Sequence, residues 1–176
     1  HNSASDRLRT TMAAMRLSFT WFGTRKTLTT DQRAQAAESF GAEGGFLSAG
    51  KKLIDTRHPK FKAVTSVRSR AIQFWRSLSL PFPEAGIRLI KQGDISLIVT
   101  QMTSFKAELD EAVEHLDAHF GELKAAARNR LGRLYASSDY PVQLSGLFAM
   151  EWDFPSVEAP PYLRQLSPEL YRQECE

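Results

Sequence analysis

Leu17, Phe19 and Trp21 alternate with Arg16, Ser18 and Thr20, which predicts a strand over residues 16–22 with one buried face. Gly23 ends the run, and Arg25 and Lys26 follow at once, projecting from a turn. A second alternation, Phe148, Met150, Trp152 and Phe154 against Ala149, Glu151 and Asp153, predicts a strand over 147–154. A third, shorter strand is expected over 87–91, just after Gly86. The two aromatic strands are expected to share a sheet, with Glu151 or Asp153 able to meet Arg16 or Arg25 across it.

Helical periods fill the space between. Thr30 precedes DQRAQAAESF, a short helix broken by Gly41, Gly44 and Gly45. From Pro59 to Leu78, Phe61, Val64, Val67, Ala71, Trp75 and Leu78 recur every three or four residues among Lys60, Lys62, Arg68, Arg70 and Arg76, an amphipathic basic helix stopped by Pro81 and Pro83. The strongest stripe runs Ile98, Met102, Phe105, Leu109, Val113, Leu116, Phe120, Leu123, Ala127, Leu131 and Leu134. Its period of 3.6 suits one nearly straight helix over about 94–136, about 60 Å long if unbroken, or two helices divided near Gly121. Asp94 is a candidate cap for its start.

A projecting helix of that length wants a partner, so Met102, Phe105, Leu109, Val113, Leu116 and Phe120 are candidate interaction residues. The flanking charge is acidic from Glu108 to Asp117 and basic from Lys124 to Arg133, which matches an antiparallel homodimer. The fold class expected is therefore α+β: a small, mostly antiparallel sheet packed by helices, with one long amphipathic helix. One domain over 15–176 follows from the length of 176 residues, with residues 1–14 a disordered lead or appended remnant and Met12 or Met15 candidate starts. SSDYP at 137–141 reads as a turn, and Ser167-Pro168-Glu169 as the start of a further helix that the chain end cuts short.

Charge changes the picture more than composition does. Residues 1–91 carry a net +10 and residues 92–176 a net −7, a polarity hidden in the overall +3. Arg25, Lys26, Lys51, Lys52, Arg57, Lys60, Lys62, Arg68 and Arg70 are the candidate nucleic-acid-binding set, contacting phosphates without reading bases. The alternative is that the two halves attract each other within the fold or an oligomer. Trp21, Phe22, Phe61, Phe74 and Trp75 are candidates for stacking on bases, or equally for core packing. No run approaches the length of a membrane span, and the lone Cys175 excludes an intrachain disulfide, which favours a cytoplasmic address.

Catalytic constellations fail on inspection. GFLSAGKK at 45–52 approaches a phosphate-binding loop, but Lys52 stands where a magnesium-holding hydroxyl belongs and no apolar strand precedes it. Glu111, His115, His119 and Glu122 share a helical ridge, yet Leu116 occupies the place a zinc protease gives to its glutamate. There is no Gly-x-Ser-x-Gly elbow. No catalytic residue, metal site or cofactor is expected, and the chain reads as non-enzymatic.

Three short motifs, Trp21-Phe22-Gly23-Thr24-Arg25-Lys26, Gly50-Lys51-Lys52-Leu53-Ile54-Asp55 and Gly86-Ile87-Arg88-Leu89-Ile90, together with the element order over most of residues 15–155, give a chain that resembles the bacterial domain-of-unknown-function family 3150. The resemblance implies a protein encoded on plasmids, integrative elements or phages beside an AAA+ ATPase of the cobaltochelatase type and a von Willebrand A-domain protein. It implies an accessory role in mobile-element DNA metabolism, or in assembly of the partner ATPase, and relatives longer at the C-terminus. It carries over no catalytic residue. The expectation is thus a nucleic-acid-binding accessory protein, with an adaptor or self-assembly module as the alternative.

Overall fold

The computed structural model describes residues 11–156, so the expectations for the extreme N-terminus, for Ser167-Pro168-Glu169 and for Cys175 lie outside the described residues. The class is α+β. Where chain length predicts one domain, the described chain gathers into two compact units. The first takes in residues up to Thr20, Ser66–Asp110 and those from Ala149; the second takes in Trp21–Thr65 and Glu111–Phe148.

The first unit is built on an antiparallel sheet of β1 (Met12–Thr20), β4 (Ser79–Pro81), β5 (Ile87–Lys91) and β6 (Ala149–Asp153), in the order β4-β5-β1-β6. Both long alternations are strands and are neighbours, with Arg16 opposite Asp153 and their side chains 3.1 Å apart. β1 starts four residues earlier than its aromatic pattern, because Met12 to Met15 pair with Arg88 to Lys91. Residues 12–14 therefore belong to the sheet and not to a lead. β1 also ends at Thr20, and Trp21 leaves it for the second unit, where its ring meets Phe148 edge-on at 4.9 Å.

Two helices cover this sheet. The first unit holds the C-terminal part of α2 (Pro59–Ser77) and the N-terminal part of α3 (Ile95–Ala118). Val67, Ala71 and Trp75 from one, and Ile98, Met102, Phe105 and Leu109 from the other, are buried with Met15, Leu17, Ile87, Ile90 and Met150. Phe74 meets Phe105 edge-on at 6.1 Å, Arg88 lies over the Trp75 ring, and Lys106 lies over Trp152.

The second unit contains β2 (Arg25–Thr27), α1 (Thr30–Glu38), β3 (Gly50–Lys52), the first turns of α2, the end of α3 and α4 (Phe120–Leu131). Thr29 caps α1 through a reciprocal box with Gln32, one residue before the expected start. Of the two expectations for residues 94–136, the divided one is met: α3 is the long helix and α4 follows it after a break. The break falls at His119, whose φ of −99° and ψ of 3° leave the helical region, while its N–H bonds back to Leu116 and its Nδ1 lies 2.9 Å from the His115 carbonyl. Leu116, Phe120 and Leu123 are all buried, so the apolar face continues through the break. Gly132 ends α4 at a φ of 56°, a conformation that glycine adopts without strain.

Candidate anion-binding cleft

The second unit turns the expected basic corner into a two-stranded ribbon. β2 and β3 pair antiparallel, with Arg25 opposite Lys52, Lys26 opposite Lys51 and Thr27 opposite Gly50. Bonds from Leu53 N–H to the Thr24 carbonyl and from Leu28 N–H to the Ala49 carbonyl extend it at both ends. Gly50 suits the pairing, since a Cβ there would stand 3.3 Å from the Lys26 carbonyl oxygen and the partner strand would have to give by a few tenths of an ångström.

Successive side chains of a strand point to opposite faces, so the two lysine and arginine pairs have different fates. Lys26 and Lys51 both reach Asp139, at 2.7 and 2.6 Å, and Lys51 also donates to the Leu134 carbonyl at 2.6 Å. Lys51 is 7% exposed. The hydrogen bonds from Lys26 and Lys51 hold the Asp139 carboxyl below the ordinary carboxylate range. Tyr140, next in the chain, donates to the Leu53 carbonyl at 2.6 Å, and burial pushes its phenol up. On the other face, Arg25 and Lys52 are exposed and neither forms an ion pair among the described residues. Like charges directly opposite each other destabilise a strand pair, so this cross-strand cation pair is a cost the fold carries.

Beside β3 lies a cleft of about 440 Å³. Its apolar lining is Ile54, Leu123, Ala126, Ala127, Leu131 and Leu134, and its charged lining includes Lys52, Arg57 and Arg130 with Asp55 and Glu122. Asp55 organises the two arginines. Its Oδ1 accepts from the backbone N–H of Arg57 at 3.0 Å and from its Nε at 3.1 Å, while its Oδ2 accepts from Arg57 Nη2 at 3.5 Å and Arg130 Nη1 at 3.3 Å. Arg57, first through its side-chain hydrogen bonds, brings the Asp55 carboxyl down to about 2. His58 stands just before α2: its Nδ1 accepts the Lys60 N–H at 3.1 Å and its carbonyl accepts from Phe61 and Lys62. That leaves the proton of the neutral ring on Nε2.

The nine expected cations do not form one surface. Lys51 is buried and neutralised, Lys26 shares its carboxylate, Arg57 pairs with Asp55, and Arg70 pairs with Glu108 in the first unit. Lys60, Lys62, Arg68 and Arg70 lie on one helix, but at about 100° per residue they point in four directions round its axis. Arg25 and Lys52 are the pair left accessible on the ribbon, and Arg57 and Arg130 line the cleft. Arg130 was hidden within the basic stretch of a helix expected to project, and its link to Asp55 spans 75 residues.

Other candidates are reassigned by burial. Met102, Phe105, Leu109, Val113, Leu116 and Phe120 are each 7% exposed or less, so the stripe expected to receive a partner helix is spent on the chain's own core. Phe61 and Trp75 are buried, Trp21 and Phe22 pack on Phe148, and Phe74 packs on Phe105, which leaves that set to packing and not stacking. Among the described residues the most exposed aromatics are Phe40 and Phe46, 87% and 89% exposed on the glycine-bearing loop between α1 and β3, and Phe154, expected on the buried face of its strand, is 40% exposed just beyond the end of β6. The signal for Phe40 and Phe46 was aromatic residues set among glycines outside any period.

GFLSAGKK forms a 3-10 turn at Gly44–Phe46 and then β3, so its lysines sit in a strand and not at the start of a helix as a nucleotide-cradling loop requires. Among the described residues no three His, Cys, Asp or Glu side chains gather to hold a metal, and His119 instead faces His58 with ring centres 6.0 Å apart. No helix among the described residues is long and apolar enough to cross a membrane. Compared with known proteins, the chain matches no family model, no curated protein and no solved structure.

Proposed function

We propose that this chain is a non-enzymatic accessory protein that binds nucleic acid through the β2–β3 ribbon and the basic rim beside it. The carrying observation is the Arg25–Lys52 pair: two exposed cations held side by side on paired backbone without a counter-charge among the described residues. Polyanion phosphates would relieve the repulsion that the fold leaves standing. The motif resemblance adds the setting, the cytoplasm of a bacterium carrying a plasmid, integrative element or phage.

The test is anisotropy of labelled single- and double-stranded DNA over a salt series. Affinity is expected to fall linearly with salt on a logarithmic scale. Arg25→Glu with Lys52→Glu is expected to reduce that slope by about 2 and to weaken all sequences alike, whereas Arg76→Glu on α2 leaves it unchanged. Absence of binding at low salt, or an unchanged slope in the double variant, refutes the reading.

A second reading, an adaptor to a protein such as an AAA+ ATPase, draws on Phe40 and Phe46. Two nearly fully exposed phenylalanines six residues apart cost solvation unless a partner covers them. A homo-oligomer would likewise have to use such a surface, since the α3 stripe is taken.

A further inference from the structure

We propose that the cleft beside β3 is a binding site for a small organic phosphate, its apolar body seated on Leu123, Ala126 and Leu131 and its phosphate held by Arg57, Arg130 and Lys52. The site does not require the nucleic-acid reading, although it shares Lys52 and Arg57 with it.

A volume of about 440 Å³ falls within the range of small-molecule sites, which pair an apolar lining with a few convergent polar groups. The polar groups here are fixed in advance. Asp55 takes Nε and Nη2 of Arg57 but only Nη1 of Arg130, and the remaining guanidinium N–H groups have no acceptor among the described residues. These ion pairs contribute little to stability, because the Arg57 and Arg130 side chains are 74% and 66% exposed. Their consequence is geometric: two planar forks are oriented before a ligand arrives, so less side-chain freedom is lost on binding.

The charges select the ligand class. Four cations line the cleft; Lys51 is neutralised by Asp139, and Asp55 and Glu122 offset two of the other three, which disfavours a polyanion running through it and suits a single anionic group. A phosphate monoester offers three acceptor oxygens to three cations, whereas a carboxylate offers two. The apolar lining then requires a ligand with a body, which inorganic phosphate lacks.

Titration calorimetry of the whole chain with phenyl phosphate, inorganic phosphate and benzoate tests this. Phenyl phosphate is expected to saturate and to bind at least about tenfold tighter than either control. Arg130→Gln removes an exposed guanidinium, and Ala126→Phe fills the cleft from an exposed α4 position without touching a charge. Each is expected to weaken phenyl phosphate about tenfold or more while the melting temperature stays within a few degrees. Benzoate binding as tightly as phenyl phosphate overturns the phosphate assignment. Inorganic phosphate binding as tightly overturns the apolar seat. Lack of saturation, or affinity unchanged in both variants, overturns the site.

Discussion

Leu116→Asp is expected to abolish the cooperative thermal transition of the second unit and to leave a chain that aggregates. Leu116→Ala is expected to cost about 3 kcal/mol, within the span measured for buried leucines, and so to lower the melting temperature by about 6–12 °C. Leu116 is fully buried near the C-terminal end of α3, three residues before the break at His119. Its loss opens a cavity that the neighbouring Val113, Phe120 and Leu123, each under a tenth exposed, can close only in part. An aspartate there has no cation on the same helical face to pair with, and its ionised form is expelled from the apolar stripe. The same substitution on an open dimer seam would have the opposite signature: a folded monomer with its association lost. Thermal melts followed beside light scattering separate the two, and a Leu116→Ala protein that melts like the parent but halves in mass would restore the seam.

The stripe shows what periodicity conveys and what it omits. A 3.6 repeat over eleven positions located one face of two helices and even its continuity through the break, because burial constrains every third or fourth residue equally. It could not say what covers that face, since a core and a partner impose the same pattern. The break itself had only a weak marker, Gly121, and fell two residues earlier, where His119 swings its ring onto the His115 carbonyl. The strands were legible at their aromatic positions and illegible at Ala13 and Ala14, whose small side chains alternate in nothing. β2 and β3 are three residues each, shorter than any window in which a period can be counted.

Charge was legible as a sum and not as a map. The basic half of the chain was evident, but what decides whether a lysine is available is its counter-ion, and those lie 113 residues from Lys26 and 75 from Arg130. For three cations of the basic half the acidic half supplies the counter-ion, Asp139 and Glu108 taking up Lys26, Lys51 and Arg70, whereas Arg57 and Arg130 share Asp55. Part of the polarity thus serves the fold, as one of the two sequence-based alternatives held. What remains for a ligand is smaller than nine cations and better fixed.

Asp139→Ala is the substitution that tests that fixing most sharply, with an expected loss of about 3 kcal/mol in denaturant unfolding, near the lower end for breaking a buried ion pair. Asp139 has a side chain only 10% exposed and joins two strands through Lys26 and Lys51. Removing it leaves the Lys51 ammonium, itself buried, with the Leu134 carbonyl as its remaining acceptor. Lys51→Met is expected to cost much less, about 1 kcal/mol, because the apolar chain suits the buried position and Asp139 keeps Lys26. Equal costs for the two variants would remove the ion pair from the account. The pH dependence has a definite sign. The folded state holds the Asp139 carboxyl below its ordinary value, so it binds that proton more weakly than the unfolded chain does. Its contribution is fully present above the unfolded value of about 3.9 and is lost as pH falls through the lower folded value. Acid unfolding followed from pH 6 to pH 2 is therefore expected to show a shallower decline in Asp139→Asn than in the parent. The same variant bears on binding, because Asp139 anchors one face of the ribbon whose other face presents Arg25 and Lys52. A ribbon released from Asp139 keeps both cations but not their spacing, so DNA affinity is expected to fall with no change in the charges that touch it.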